Sequence, residues 1–123
     1  MDSGELKNFV VTAVPLHFTR LLGRGFNQSE LVGKGLADRL NLVYADNILY
    51  RSRKTDSQVE KSKSERRENV LNAFKIFDRK LVKNKKILLV DDVITTGATV
   101  KECAKVLKRA GAKEVWALTL AHG

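Results

Sequence analysis

The chain has 123 residues, 23 of them basic and 14 acidic, a net charge of +9, with 43% hydrophobic residues. That length supports one domain with a core, and the charge points to anionic partners such as phosphorylated metabolites or nucleic acid. No apolar run approaches the roughly 20 residues of a membrane span, the polar start Met1–Glu5 does not read as a secretory signal, and Cys103, the single cysteine, excludes an intrachain disulfide or a Cys-based zinc site, a pattern that suits the cytoplasm.

Phe9–Val14 reads as a buried strand that ends at Pro15, because proline cannot continue a central ladder. The loop that follows carries Arg20 and Arg24 with Gly23 and Gly25. A helix is expected over 28–40, with Asn27 and Glu30 as a capping box. Val32, Leu36 and Leu40 share its apolar face, with Leu31 beside them. Gly33 and Gly35 each cost a helix about 1 kcal/mol relative to Ala, so close packing on a sheet is the reading for both. Segments 42–44 and 47–50 read as one interrupted strand.

Arg51 to Arg67 has seven Lys/Arg against three Asp/Glu and one aliphatic, Val59. It reads as a long mobile surface loop, followed by a short helix over 65–72. Phe74–Phe77 reads as a strand with a buried aromatic face, and 78–86 as a basic connector. The run Ile87–Val90 is apolar and partly β-branched, as in a strand buried on both faces of a parallel sheet. The central strand is placed at Lys86–Asp91. Thr99 and Glu102 form an expected capping box for a helix whose buried face is Val100, Cys103, Ala104 and Leu107, with Cys103 a small core residue. Gly111 is placed as its left-handed terminator, and Glu114–Leu120 as the next strand. No repeat or low-complexity linker interrupts the chain, so one α/β domain over 1–123 is expected, with a mainly parallel sheet flanked by helices in the Rossmann manner.

The chemistry concentrates where the apolar strand meets Asp91–Asp92–Val93–Ile94–Thr95–Thr96–Gly97–Ala98–Thr99. In open parallel sheets, ligands bind at the carboxyl ends of strands. Threonine hydroxyls, a glycine-bearing turn and the N–H groups of a helix start can hold a phosphate. Two carboxylates would repel it, so they face another part of the ligand, and a ribose 5-phosphate meets both needs. Strand alternation makes Asp91 and Asp92 unequal partners. Another α/β protein with solvated strand-end acids is the plain alternative. A response-regulator acid pair would not call for the threonines.

Residues 87–99 resemble the phosphoribosyl pyrophosphate (PRPP) signature of type I phosphoribosyltransferases. Beyond it, Val14–His17, Arg24–Leu31, Lys54–Thr55, Gln58, Arg66–Arg67, Asn69–Val70 and Ala73–Phe74 are similar to the ComF family of competence proteins within that superfamily. The resemblance implies ribose and 5-phosphate binding by Asp91, Asp92, Thr95, Thr96, Gly97, Ala98 and Thr99. It implies pyrophosphate binding in the loop that contains Arg20, Arg24 and Gly25, and a closing loop at 51–67 that delivers Lys54 or Arg53. Asp91, Asp92 and Lys54 are its catalytic candidates, and Mg²⁺ would reach the two aspartates through PRPP. ComF proteins also carry a Cys-rich zinc-binding segment, which these 123 residues do not contain, and the nucleobase hood of working transferases is not recognisable.

Two functions follow. One is a Mg²⁺-dependent phosphoribosyltransferase that moves ribose 5-phosphate from PRPP to a nitrogen nucleophile. The other is a non-catalytic competence or DNA-uptake module that binds single-stranded nucleic acid through basic loops, with Tyr44, Tyr50, Phe18 and Phe26 as stacking platforms. The acceptor is not legible, and the oligomeric state stays open, a homodimer included.

Overall fold

In the computed structural model, residues 7–15, 28–52, 73–94 and 97–122 are described. The elements are β1 (Phe9–Ala13), α1 (Gln28–Leu40), β2 (Val43–Tyr44), β3 (Leu49–Arg51), β4 (Phe74–Ile76), a 3₁₀ turn (Arg79–Leu81), β5 (Lys86–Ile94), α2 (Ala98–Arg109) and β6 (Glu114–His122). A parallel sheet takes the order β2-β1-β5-β6, and β3 and β4 form a separate antiparallel pair. The expected α/β fold with a mainly parallel sheet is what forms.

The uninterrupted apolar run explains why β5 lies inside the sheet. Ile87, Leu88, Leu89 and Val90 are all fully buried, because a parallel strand packs on both faces. Alternation sends Leu88 and Val90 to one side, where they meet Phe9, Val11 and Ala37, with Trp116 and Leu118 of β6 packed alongside. Ile87 and Leu89 meet Val100, Cys103 and Leu107 of α2 on the other, together with Leu49 and Phe74 of the small hairpin. The two helices therefore cover opposite faces.

α1 occupies its expected span, but it meets the sheet through small residues. Ser29, Gly33 and Ala37, four apart, are its buried positions, and Val32, Leu36 and Leu40 flank them. Leu31 is 55% exposed and does not join this face. Glu30 pairs with Lys34 at 2.8 Å; the Asn27 half of the expected cap lies outside the described residues. Gly33 bears out the packing reading, since a Cβ there would sit 2.9 Å from the Tyr44 ring. Gly35 does not, for a Cβ there meets nothing within 4 Å. Gly35→Ala is accordingly expected to stabilise the protein by about 0.5–1 kcal/mol. A lower midpoint in urea denaturation would contradict that open environment.

The single interrupted strand expected over 42–50 is instead two strands in two sheets. Val43 and Tyr44 pair with Val10 and Val11, and Ala45 still donates to the Val11 carbonyl. The chain then bends away through Asp46–Ile48, and Leu49–Arg51 pairs with Phe74–Ile76. Ile48 and Leu49 are buried against α2, so tertiary burial decides the break that local pattern left open.

Gly111 ends α2 as expected, with φ 101°. Ala112 donates to the Leu107 carbonyl and Gly111 to that of Lys108, the paired bonds of a Schellman terminus.

Candidate functional site at the carboxyl edge of the sheet

β5 does not stop at its acids. It runs to Ile94, so Asp91 and Asp92 lie inside a strand and not at its tip. The cause is the unequal reach of its neighbours. β1 pairs only as far as Val90, where Val14 makes the last bond, whereas β6 continues opposite Asp91, Val93 and Ile94. Asp91 thus stands just past the end of β1, at the carboxyl edge where parallel sheets hold ligands.

The buried Ser29 hydroxyl, at the start of α1, donates to Asp91 Oδ1 at 3.1 Å. This fixes the rotamer of the acid proposed to hold ribose. In the sequence Ser29 stands out only as part of the Arg24–Leu31 stretch. Its legible signal was the small-residue series 29, 33 and 37. Cys103 of α2 is buried, and its thiol is held far above the ordinary range, first by burial and then by the Asp91 carboxylate, with Arg51 opposing. Nucleophilicity needs the thiolate, so Cys103 is inert core, as expected. In the native protein it should stay unlabelled by a disulfide reagent at pH 8 while the denatured chain reacts at once. Rapid native labelling would mean that the Cys103 side of the site is open.

Gly97 is the N-cap of α2 and has φ 80°. The left-handed turn lets the chain leave β5 and enter the helix abruptly, and its carbonyl accepts from Lys101 at 2.9 Å. The cap therefore differs from the expected Thr99–Glu102 box. The N-cap residue is Gly97, which has no side chain to cap with, Thr99 lies within the first turn, and Glu102 is buried. Ala98 and Thr99 sit half-buried beside the glycine.

The structure thus brings Asp91, Gly97, Ala98 and Thr99 to one edge of the sheet. The backbone of Asp92 is in β5, but its side chain lies outside the described residues, as do Thr95 and Thr96. Arg20, Arg24, Gly25, Arg53, Lys54 and the helix expected at 65–72 also lie outside them. Arg51, read as loop, is in β3. Ser52 donates through both its N–H and its hydroxyl to the Ala73 carbonyl, so the two residues that flank 53–72 are hydrogen-bonded to each other. Among the described residues no cluster of His, Cys, Asp or Glu forms a metal cage. Mg²⁺ characteristically takes one or two carboxylates plus substrate phosphates, a minimum that the Asp91 carboxylate alone would meet. No helix among the described residues is long and apolar enough to cross a membrane.

Of the expected stacking residues, Tyr44 is half-buried against Gly33 with Lys34 over its ring, while Phe18 and Phe26 are outside the described set. Tyr50 is exposed and packs on Phe77, ring centroids 4.6 Å apart. Phe77, expected on a buried aromatic face, is 60% exposed. Alternation explains it: Phe74 and Ile76 turn to the core, and Lys75 and Phe77 turn away.

Residues 27–123 match the family model described as a phosphoribosyl transferase domain. The chain is 37% identical over 114 residues to Competence protein F of Haemophilus influenzae, covering 90% of this chain and 50% of that protein. It is 39% identical over 110 residues to DNA utilization protein YhgH of Escherichia coli O157:H7, covering 88% and 48%. It spans about half the length of these curated relatives. In fold it is similar to glutamine PRPP amidotransferase from B. subtilis, with a TM-score of 0.61 at 24% identity over 91% of this chain and 22% of that one. The Ile87–Thr99 signature, its glycine-turned helix start and these likenesses converge: the chain belongs to the phosphoribosyl transferase domain family, in the ComF-like branch of the type I superfamily.

Proposed function

We propose that this chain serves DNA utilisation as a binding module for single-stranded DNA. The observation that carries the reading is the exposed Tyr50–Phe77 pair, with Lys75 directly opposite Tyr50 in the hairpin register. Single-strand binders combine aromatic faces, on which any base can stack, with cations for the backbone. The net charge of +9 supplies the second need, and the names of the relatives, competence and DNA utilisation, point the same way.

The test is fluorescence anisotropy with labelled oligothymidylate. Phe77→Ala should weaken binding by about 1–3 kcal/mol, roughly 5- to 150-fold, with thermal stability little changed. Unchanged affinity in that variant would remove the platform, and no binding by the parent protein would end the DNA reading.

A second reading has its own support in Gly97. Its left-handed turn opens α2 at the carboxyl edge of the sheet, where a helix start can receive a phosphate. In this reading Asp91 and Asp92 accept from the ribose hydroxyls, Thr95 to Thr99 hold the 5-phosphate, and Arg20, Arg24 and Gly25 face the pyrophosphate. Mg²⁺ supplies charge neutralisation to the leaving group when bound, and Lys54 is the further cation. Incubation with Mg²⁺–PRPP and a panel of nucleobases, followed by a pyrophosphate assay, decides whether transfer occurs. Binding of PRPP without release of pyrophosphate would leave a ribose-phosphate site in a non-catalytic protein.

A further inference from the structure

Parallel strands begin at a common edge, so whatever precedes each strand is brought into one row. Here the register aligns Phe9 with Lys86 and Lys86 with Glu114. The residues at or just before those three starts are Lys7 and Asn8, Asn84, Lys85 and Lys86, and Lys113. Neighbouring strands stand about 4.8 Å apart. Lysines of three separate segments therefore gather along the amino-terminal edge, opposite the end that carries Asp91 and Gly97. Lys113 N–H donates to the Lys85 carbonyl, which ties two of the segments directly.

This row lines a cleft of about 930 Å³, and among the described residues that line it none is acidic. Asn8, Asn41 and Asn84 at its rim all have positive φ, at 73°, 56° and 62°. The chain turns tightly there and leaves their exposed amides at the opening. Lys86 is held over the Phe9 ring at 5.8 Å. Asn41, Leu42 and Val43 also line a second hollow of about 540 Å³, which continues past the sheet edge to Lys34 and includes one acid, Asp38. The combined shape suits an extended ligand better than a compact one.

Helices end at this same edge, and basic residues can offset their negative ends. Arg39 does so by position for α1, as do Lys108 and Arg109 for α2. The four strand-start lysines are additional to those.

We infer that the cleft lined by Lys7, Lys85, Lys86 and Lys113 binds the phosphodiester backbone of single-stranded DNA, at the end of the sheet opposite the ribose-phosphate signature. This rests on the DNA reading above. The lysines neutralise successive phosphates, the asparagine amides donate to phosphate oxygens, and the Tyr50–Phe77 pair takes bases elsewhere on the strand.

The experiment measures oligothymidylate affinity against salt for the parent protein, for the Lys85→Gln/Lys113→Gln double variant and for Lys101→Gln/Lys105→Gln. The last pair removes equal charge from the exposed side of α2. Each single-strand phosphate contact contributes about −0.7 to the log–log slope. The cleft variant should therefore be shallower by about 1.4, and the α2 variant unchanged. If the parent binds and Phe77→Ala weakens it, but the cleft slope does not move, the cleft assignment is wrong and the DNA reading stands. Equal flattening by both double variants also overturns the cleft, because it reduces the effect to net charge. If the parent does not bind the oligonucleotide at all, the DNA reading itself has failed.

Discussion

Leu88→Ala is expected to destabilise the protein by about 2–5 kcal/mol. Leu88 is fully buried in β5, with Val11 on one neighbouring strand and Trp116 on the other as its register partners. Its side of the sheet is closed by α1, whose contact residues are small and already close to the strands. Gly33 is near contact with Tyr44, so the helix has little freedom to settle into a cavity, which places the cost in the upper part of that range. Denaturant unfolding should show a lower midpoint with an unchanged slope. A loss below about 1 kcal/mol would mean that this face is loosely packed.

Gly97→Val is expected to cost both stability and ligand binding. An L-residue in the left-handed region pays about 1–2 kcal/mol, and a β-branched one fares worse. In the ribose-phosphate reading, the same substitution places two methyl groups where the phosphate would approach the backbone. Gly97→Asn separates the two effects, because asparagine tolerates positive φ while still adding a side chain. The asparagine variant should retain most of the stability. PRPP titration by calorimetry should show binding lost in the valine variant. Unimpaired PRPP binding by Gly97→Val would exclude this turn from the phosphate cradle.

The parts of the fold legible in the sequence were those with strong periodicity or special backbone demands. Ile87–Val90 had to be buried on both faces, α1 kept its span, and Gly111 had to stop a helix. The break between Val43–Tyr44 and Leu49–Arg51 was not legible. Two short apolar runs look alike whether they share a strand or serve different sheets, and only burial of Ile48 and Leu49 against α2 separates them. The two carboxylates looked terminal because charge commonly marks a strand end. Here β6 carries the ladder past them, an interaction between distant segments that no local window contains. The site was legible as the Asp91–Thr99 motif, whereas Ser29 needed the fold to reach Asp91. The lysine cleft was equally hidden, since Lys7, Lys85 and Lys113 become neighbours only once parallel register is imposed.

That register also has a consequence for the order of folding. β5 and β6 lie within one short strand–helix–strand segment, less than a third of the chain. β1, on the other side of β5, must be brought back across nearly two-thirds of it. Closing the longer loop costs more entropy before any contact repays it. The C-terminal β5–α2–β6 unit is therefore expected to form the folding nucleus, with β1 docking afterwards. Substitutions such as Leu107→Ala should slow refolding, while Val11→Ala should mainly speed unfolding. The reverse pattern would place the nucleus at β1. During synthesis the unit that nucleates emerges after β1 and α1, which wait with their apolar faces unpartnered until residues 86–122 are made. In a cell that produces this protein, that interval is when chaperones and proteases have their greatest access to it.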